Sequence, residues 1–382
     1  MGSRRRQRGD GKGGVTVTDV ARRAGVSTAT VSRVMNGNPR VRAEVRAAVT
    51  VAIQELGYVP NPSARSLMTR LTESIGVVVL ESADRLFGDP FFGQLMLGIS
   101  ASLSENDQRL VLMLAPTREE ESRIDRYLGA GHVDGVVLVG PHGADPLLKR
   151  LLRQQIPFVV SGRPMEPRPV TYVDSQNRSG AEAAVNHLLA SGRRVIGTIH
   201  GTLDLSSAFD RLEGYRDALR AGGRAVDPHL EVDGQYRSRT AVQAMNGLLE
   251  RHPDLDAVFV ASDSMAIAAM QAIKDSGRRI PDDIAVIGFD DLPTASESRP
   301  TLSTVRQPIE TMGREMVRLV LQRVGQADLA PQEVIFGTEL VLRGSTGDVA
   351  EAAAPGALAP ETGDPVPAAD GRRPTAARSW AE

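Results

Sequence analysis

The amino-acid sequence predicts an α/β protein with a small all-helical head followed by a larger body containing two parallel sheets. Three observations carry this. Charge is partitioned: residues 1–73 hold 13 Lys or Arg against 5 Asp or Glu, whereas the remainder holds 32 against 42. Apolar residues recur at helical spacing over residues 15–58, and from Ile75 short β-branched runs alternate with amphipathic stretches. That alternation continues over a length that two sheets fill better than one.

In the head, Thr16 is placed to cap a first helix, with Asp19 near its positive end. Val17, Val20, Ala21 and Ala24 share one face, and Gly25 supplies a tight turn. Ser27 caps a second helix running to about Met35, with Val31 and Val34 turned to the first. Thr28, Ala29, Ser32 and Arg33 lie on the other side. Small side chains at the start of such a helix let the backbone approach a DNA major groove, and an arginine can donate two hydrogen bonds to guanine O6 and N7. A third helix, about Ala43–Leu56, offers Val45, Val49, Ala52, Ile53 and Leu56 to the small core, and Gly57 ends it. The pattern alone leaves two readings open, a helix-turn-helix that reads DNA and a three-helix cap. Asn61 can cap a further short helix that is marginal alone.

The body follows with strands expected at Ile75–Leu80, Leu110–Ala115, Gly135–Val139, Phe158–Val160, Val195–Ile199, Ala257–Val260 and Ile284–Gly288. Helices between them cover both sheet faces. Residues 1–14 are Gly- and Arg-rich and residues 348–382 are rich in Ala, Pro and Gly, so both are expected to be disordered.

Several function classes are disfavoured. With no cysteine, the chain has no disulfide framework and no Cys-ligated metal site, which sits easily with a cytoplasmic protein. The basic N-terminus is not followed by an apolar run, so no secretion signal is expected, and no stretch is apolar enough to span a membrane. No phosphate-binding loop, nucleophile elbow or HExxH is present, and the six histidines lack ligand spacing. The expectation is a non-enzyme with no catalytic residue, cofactor or metal.

The run Val15-Thr16-Val17-Thr18-Asp19-Val20-Ala21-Arg22-Arg23-Ala24-Gly25-Val26-Ser27-Thr28-Ala29-Thr30-Val31-Ser32-Arg33-Val34-Met35-Asn36-Gly37 closely resembles the head of lac-repressor family regulators, as does Leu56-Gly57-Tyr58-Val59-Pro60-Asn61-Pro62-Ser63-Ala64-Arg65-Ser66-Leu67. The resemblance implies that Thr28, Ala29 and Arg33 read bases, and that Ser27, Thr30, Ser32, Asn36 and Tyr58 contact or position phosphates. It implies a hinge helix containing Asn61, Ala64 and Leu67, paired with its dimer mate in the minor groove, where Leu67 wedges between base pairs. Arg42 departs from the family, which often has a Ser cap there. The implied organisation is a basic arm (1–14), a helix-turn-helix domain (15–60), a hinge helix and linker (61–73), a two-lobed body (74–347) and a tail (348–382).

From Ser74 the chain resembles the regulatory body of the same family, itself similar to periplasmic sugar-binding proteins. The landmarks are Asp89-Pro90-Phe91-Phe92, Val173-Asp174-Ser175-Gln176-Asn177, Arg211-Leu212-Glu213-Gly214-Tyr215, Ala261-Ser262-Asp263-Ser264-Met265-Ala266 and Gly288-Phe289-Asp290-Asp291. Their chemistry suits a polyol. Phe91 and Phe92 offer an apolar face to a sugar ring, or belong to the core. Asp290 and Arg211 accept from and donate to neighbouring hydroxyls, or form a structural ion pair. Asp263 adds an acceptor or holds the cleft together, and Arg163 contacts ligand or salt-bridges. Gly162 stands where many relatives have an aspartate, and Ser262 where some have an asparagine. The resemblance therefore implies a homodimeric, cytoplasmic repressor on a pseudo-palindromic DNA operator, relieved by a sugar-like effector. Corepression by a ligand such as a purine is the alternative, and a solute-binding transport protein a weaker one.

Overall fold

The computed structural model describes residues 15–35, 37–58, 71–143, 145–326 and 328–347. The chain divides into two compact units, Met1–Thr72 and Glu73–Glu382. The arm, the tail, and the predicted site residues Asn36, Asn61, Ala64 and Leu67 lie outside the described residues.

The first unit holds α1 (Val17–Ala24), α2 (Thr28–Met35) and α3 (Ala43–Leu56). At the start of α1 the Asp19 backbone N–H donates to Thr16 Oγ1 (3.4 Å) and the Thr16 N–H donates to Asp19 Oδ2 (3.0 Å), a reciprocal capping box. Gly25 ends α1 in the left-handed conformation, at φ 68°, where a side chain is strained. Ser27 Oγ accepts from the Thr30 N–H at 3.2 Å and so starts α2. Val20, Ala21, Val31, Val34, Val49 and Ala52 form the core, with Ile53, Leu56 and Tyr58 packed against it. Val45, expected there, is not among these core residues.

The second unit contains two six-stranded sheets. Its elements in chain order are β1 (Ser74–Val79), α4 (Ala83–Gly88), α5 (Pro90–Glu105), β2 (Arg109–Leu114), α6 (Arg118–Gly129), β3 (Gly135–Val139), α7 (Pro146–Gln154), β4 (Phe158–Ser161) and β5 (Tyr172–Ser175). There follow α8 (Asn177–Ala190), β6 (Ile196–His200), α9 (Ser206–Ala221), β7 (Glu231–Asp233), α10 (Ser238–Arg251), β8 (Ala257–Val260) and α11 (Asp263–Asp275). The unit closes with β9 (Ala285–Asp290), α12 (Pro293–Glu297), β10 (Ser303–Arg306), α13 (Ile309–Gly325), β11 (Glu333–Phe336) and β12 (Glu339–Val341). The first sheet runs β11-β5-β4-β3-β1-β2 and the second β12-β10-β9-β8-β6-β7.

Each sheet is the floor of one lobe, and the chain passes between lobes three times, at Gln176, at Gln307-Pro308 and at Gly337-Thr338. The β1 residues are all buried, as a strand covered on both faces requires. Helix α13 returns to the first lobe, where Met312, Met316, Leu319 and Val320 share a core with Ile75, Val77, Leu95 and Ile99. It crosses α5 at very close range. A Cβ at Gly98 would lie 2.0 Å from the Glu310 carbonyl oxygen, and one at Gly313 2.5 Å from that of Leu95.

All seven expected strands form, within one or two residues at their ends. Five further strands, β5, β7, β10, β11 and β12, carry no β-branched run of useful length; each is three or four residues. The second sheet is also not wholly parallel, because β12 pairs antiparallel with β10.

Candidate functional site

Two surfaces carry the expected chemistry, one in each unit. In the head, Ser27, Thr28, Ala29 and Arg33 are exposed on or just before α2, and Thr30 and Ser32 are half-buried. Ser27 and Thr30 share a hydroxyl hydrogen bond of 2.9 Å at the helix start. The Arg33 guanidinium has no carboxylate partner among the described residues, whereas Arg22 and Arg23 are paired with Asp19 and Glu55. Arg33, Arg40 and Arg42 border one shallow groove with Thr30 and Asn38. Arg42 precedes α3 without making a side-chain cap, so the family's usual cap has no replacement. Tyr58 packs its ring on the head core.

In the body, strand ends of both sheets converge on a cleft of about 760 Å³, its open mouth included. Open α/β sheets gather ligand groups at that edge. At the inner end stands Arg211, from α9, with only 4 % of its surface exposed. Its Nε donates to Asn177 Oδ1 (2.8 Å), its Nη1 donates to the Ala261 carbonyl (2.6 Å) and to Asp290 Oδ1 (3.2 Å), and its Cζ stacks 3.6 Å from the Phe289 ring centroid. Gln307, on a lobe crossing, donates from Nε2 to the same Asp290 oxygen (2.6 Å) and accepts from Ser175 Oγ at Oε1 (2.8 Å). Burial pushes the Asp290 carboxyl up to about 7 against the opposing pull of Arg211. Burial also raises Asp89 and Asp174 above the ordinary carboxylate range.

The outer end is built from both lobes. The Arg85 guanidinium lies 5.5 Å from the Phe92 ring centroid and 4.9 Å from that of Tyr236 in the other lobe. Arg85 also pairs with Glu81. Ser264 Oγ donates across the cleft to Asp89 Oδ1 at 3.1 Å. His142 bridges the rim, with Nε2 3.2 Å from Glu81 Oε1 and Nδ1 3.0 Å from Asp204 Oδ1 of the other lobe. One buried polar atom here, Arg85 Nε, has no hydrogen-bond partner among the described residues. Buried polar groups are ordinarily satisfied, so an unpartnered guanidinium nitrogen beside a cleft marks where a ligand would bond.

Of the six residues expected to line a ligand site, four border the cleft: Phe91, Phe92, Arg211 and Asp290. Phe92 does so from within the first-lobe core, and Phe91 meets it edge to face with centroids 5.4 Å apart. The other two, Asp263 and Arg163, lie outside the cleft lining and take the structural alternative that the sequence left open for each. Asp263 is fully buried outside the cleft lining, where it accepts from Thr304 Oγ1 (2.5 Å) and the Leu292 N–H (2.7 Å), tying α11 to the ends of β9 and β10. Arg163 turns its guanidinium to Asp210 at 2.8 Å instead of entering the cleft. At Gly162 the backbone is left-handed, φ 88°, and both Gly162 and Asp174 from β5 border the cleft.

Sequence reading did not single out Glu81, Arg85, Asp174, Asn177, Tyr236 and Gln307 as site residues. Only Asp174 and Asn177 carried a signal, inside a landmark run. Tyr236 follows a three-residue strand and sits at φ 51°, where a bulky residue is strained. Its ring fills space that any side chain at Gly201 would occupy, 2.0 Å from an added Cβ.

Comparison with known proteins identifies both units. Residues 16–61 match the lacI family of bacterial regulatory proteins, and residues 185–346 match the periplasmic binding protein-like domain. The chain is 42 % identical to the HTH-type transcriptional regulator CelR of Thermobifida fusca over 332 residues, 86 % of this chain and 98 % of that one. It is 34 % identical to the ribose operon repressor of Escherichia coli K12, over 86 % of this chain and 99 % of the relative. Among solved structures, a CelR–cellobiose complex superposes with a TM-score of 0.70 at 41 % identity, covering 87 % of this chain and 99 % of that one. The lac repressor dimer bound to operator and an anti-inducer gives 0.78 at 28 % identity, with the same coverage. With relatives a third or more identical along nearly their whole length, the chain belongs to the lacI family of bacterial regulatory proteins and is a DNA-binding transcriptional regulator, not an enzyme.

Proposed function

We propose that this regulator is a cytoplasmic, homodimeric repressor that holds a pseudo-palindromic operator through its head and releases it when a sugar enters the body cleft. The observation that carries the reading is the cleft. Its Arg211–Asp290 pair, its aromatic wall of Phe91 and Phe92, and its Tyr236 hydroxyl form a polar site with an apolar side, the complement of a sugar ring. The cellobiose complex of a relative 41 % identical supports the same ligand class.

At the head, exposed Thr28, Ala29 and Arg33 read bases, while Ser27, Thr30, Ser32, Asn36 and Tyr58 position phosphates. Exposure of the first three on one side of α2 supports this. The hinge roles of Asn61, Ala64 and Leu67 rest on the sequence resemblance. Two-fold pairing of heads on two half-sites then sets the operator symmetry.

Fluorescence anisotropy on the DNA upstream of the protein's own gene tests the reading, at fixed near-physiological salt and against a scrambled duplex. Selective binding abolished by cellobiose, ribose or galactose supports it. Binding strengthened by a nucleobase reverses the sign of the switch. Indifference of a selective complex to every sugar tried removes the sugar from the reading.

A further inference from the structure

We infer that the cleft admits an uncharged, hydroxyl-rich ligand and rejects anionic sugars, and that Asp89 and Asp290 make the distinction. The inference rests on the cleft being the effector site and narrows that effector to a chemical class.

The argument comes from which atoms the protein leaves open. Four carboxylates border the cleft, Glu81, Asp89, Asp174 and Asp290, against two guanidiniums, Arg85 and Arg211. Both cations are already matched, Arg85 by Glu81 and Arg211 by Asp290. Asp89 and Asp174 are therefore surplus negative charge.

The carboxylates differ in what they still offer. Asp174 is consumed: Oδ1 accepts from the Ser175 N–H and from Asn177 Nδ2, and Oδ2 from the Arg163 N–H. In Asp290 the same oxygen, Oδ1, takes both Arg211 and Gln307, and among the described residues nothing donates to Oδ2. In Asp89, Oδ1 takes the Phe91 N–H (3.2 Å) and Ser264 Oγ, and again Oδ2 is left. Two carboxylate oxygens bordering the cleft are thus left open among the described residues. Asp89 is also close enough that its charge helps raise Asp290.

Once Asp89 and Asp290 are ionised, a ligand satisfies these oxygens only by bringing hydrogens. A sugar hydroxyl brings one and accepts in return from Arg211, Arg85 or Tyr236. An ionised carboxylate or phosphate brings acceptors alone, together with a charge that the surplus carboxylates oppose. Sites built to receive a particular donor discriminate strongly against ligands that lack it. A penalty of at least about a hundredfold in affinity is expected.

The test is calorimetric titration of the full-length protein at pH 8 with matched pairs. These are cellobiose and cellobionate, glucose and both glucuronate and glucose 6-phosphate, galactose and galacturonate, ribose and ribose 5-phosphate. The expected result is that the tightest binder is uncharged and its anionic counterpart at least about a hundredfold weaker. Asp89→Asn, which retains the ability to cap α5, should narrow that gap, as should Asp290→Asn. An anion binding as tightly as its neutral partner overturns the inference, and so does a gap that neither variant changes. If no sugar of any kind binds, the effector reading fails, and inorganic phosphate still decides the charge argument. Thermal stabilisation of the body of Asp89→Asn by phosphate, over chloride of equal ionic strength, without stabilisation of the wild-type body supports it. Stabilisation of the wild-type body overturns it.

Discussion

His142 stands between two carboxylates, Glu81 of its own lobe and Asp204 of the other. A neutral imidazole has one N–H and cannot donate to both, whereas the imidazolium can. The hydrogen bond to Glu81 is the largest cause, joined by that to Asp204, of a pKa above the ordinary histidine value. The sign of the linkage follows from the raised value. The stabilisation is full below the unfolded pKa, about 6.5, and is lost as pH rises through the higher folded value. Asp204→Asn should bring the His142 titration back towards 6.5 when its ring proton is followed by NMR, and His142→Gln should flatten the stability–pH curve above about pH 6.5. A His142 titration indifferent to Asp204 would remove the bridge between Glu81 and Asp204. At this scale the sequence was only partly legible. Arg211 and Asp290 lie in runs whose neighbours are recognisable, whereas His142, Arg85 and Tyr236 become partners only once two lobes face each other. Asp263 was readable either way for a related reason: an aspartate at a strand end can serve the loop behind it as readily as the cleft in front.

Helices and strands carry their own predictions. Thr16 caps α1 through both its oxygen and its backbone, so Thr16→Ala should cost the head about 1 kcal/mol, read as a lower midpoint for the head in urea. Gly98 and Gly313 allow α5 and α13 to touch backbone to backbone. A methyl group has nowhere to go when the opposing atom is a carbonyl oxygen, so Gly98→Ala should destabilise the body by about 3 kcal/mol or more, seen as a fall in its calorimetric Tm. Retention of the wild-type Tm would mean that the two helices sit further apart than described. The long elements were legible because apolar periodicity is an intrinsic property of a segment. Short strands such as β7 and β12 were not, because three residues show no period and become strands only when a neighbouring strand supplies hydrogen bonds.

For the whole molecule, the division of charge separates two responses to salt. Operator binding should weaken steeply as salt rises, through release of counterions from the DNA, while binding of an uncharged sugar should scarcely change. Removing Arg4, Arg5 and Arg6 should make the operator slope shallower without altering sequence preference if the arm contacts phosphates. Equal slopes for operator and sugar would contradict the assignment of the two ligands to differently charged units. Two sheets, and a head distinct from the body, were legible from charge and from strand–helix alternation. The three passages between lobes were not, since nothing local in Gln176, Gln307 or Thr338 announces that the chain changes sheet there.

Those passages also impose an order on biosynthesis. The three head helices are complete once residue 56 has emerged from the ribosome, but the first lobe waits for α13 and for β11, which ends at Phe336. At about 5–20 residues per second that interval is roughly 15–55 s. During it a nascent chain carries a finished DNA-reading head and a lobe still missing an edge strand and a helix, with its apolar face uncovered. Chaperone demand should therefore concentrate on the body, and a premature stop codon between residues 58 and 336 would leave neither lobe whole while sparing the head.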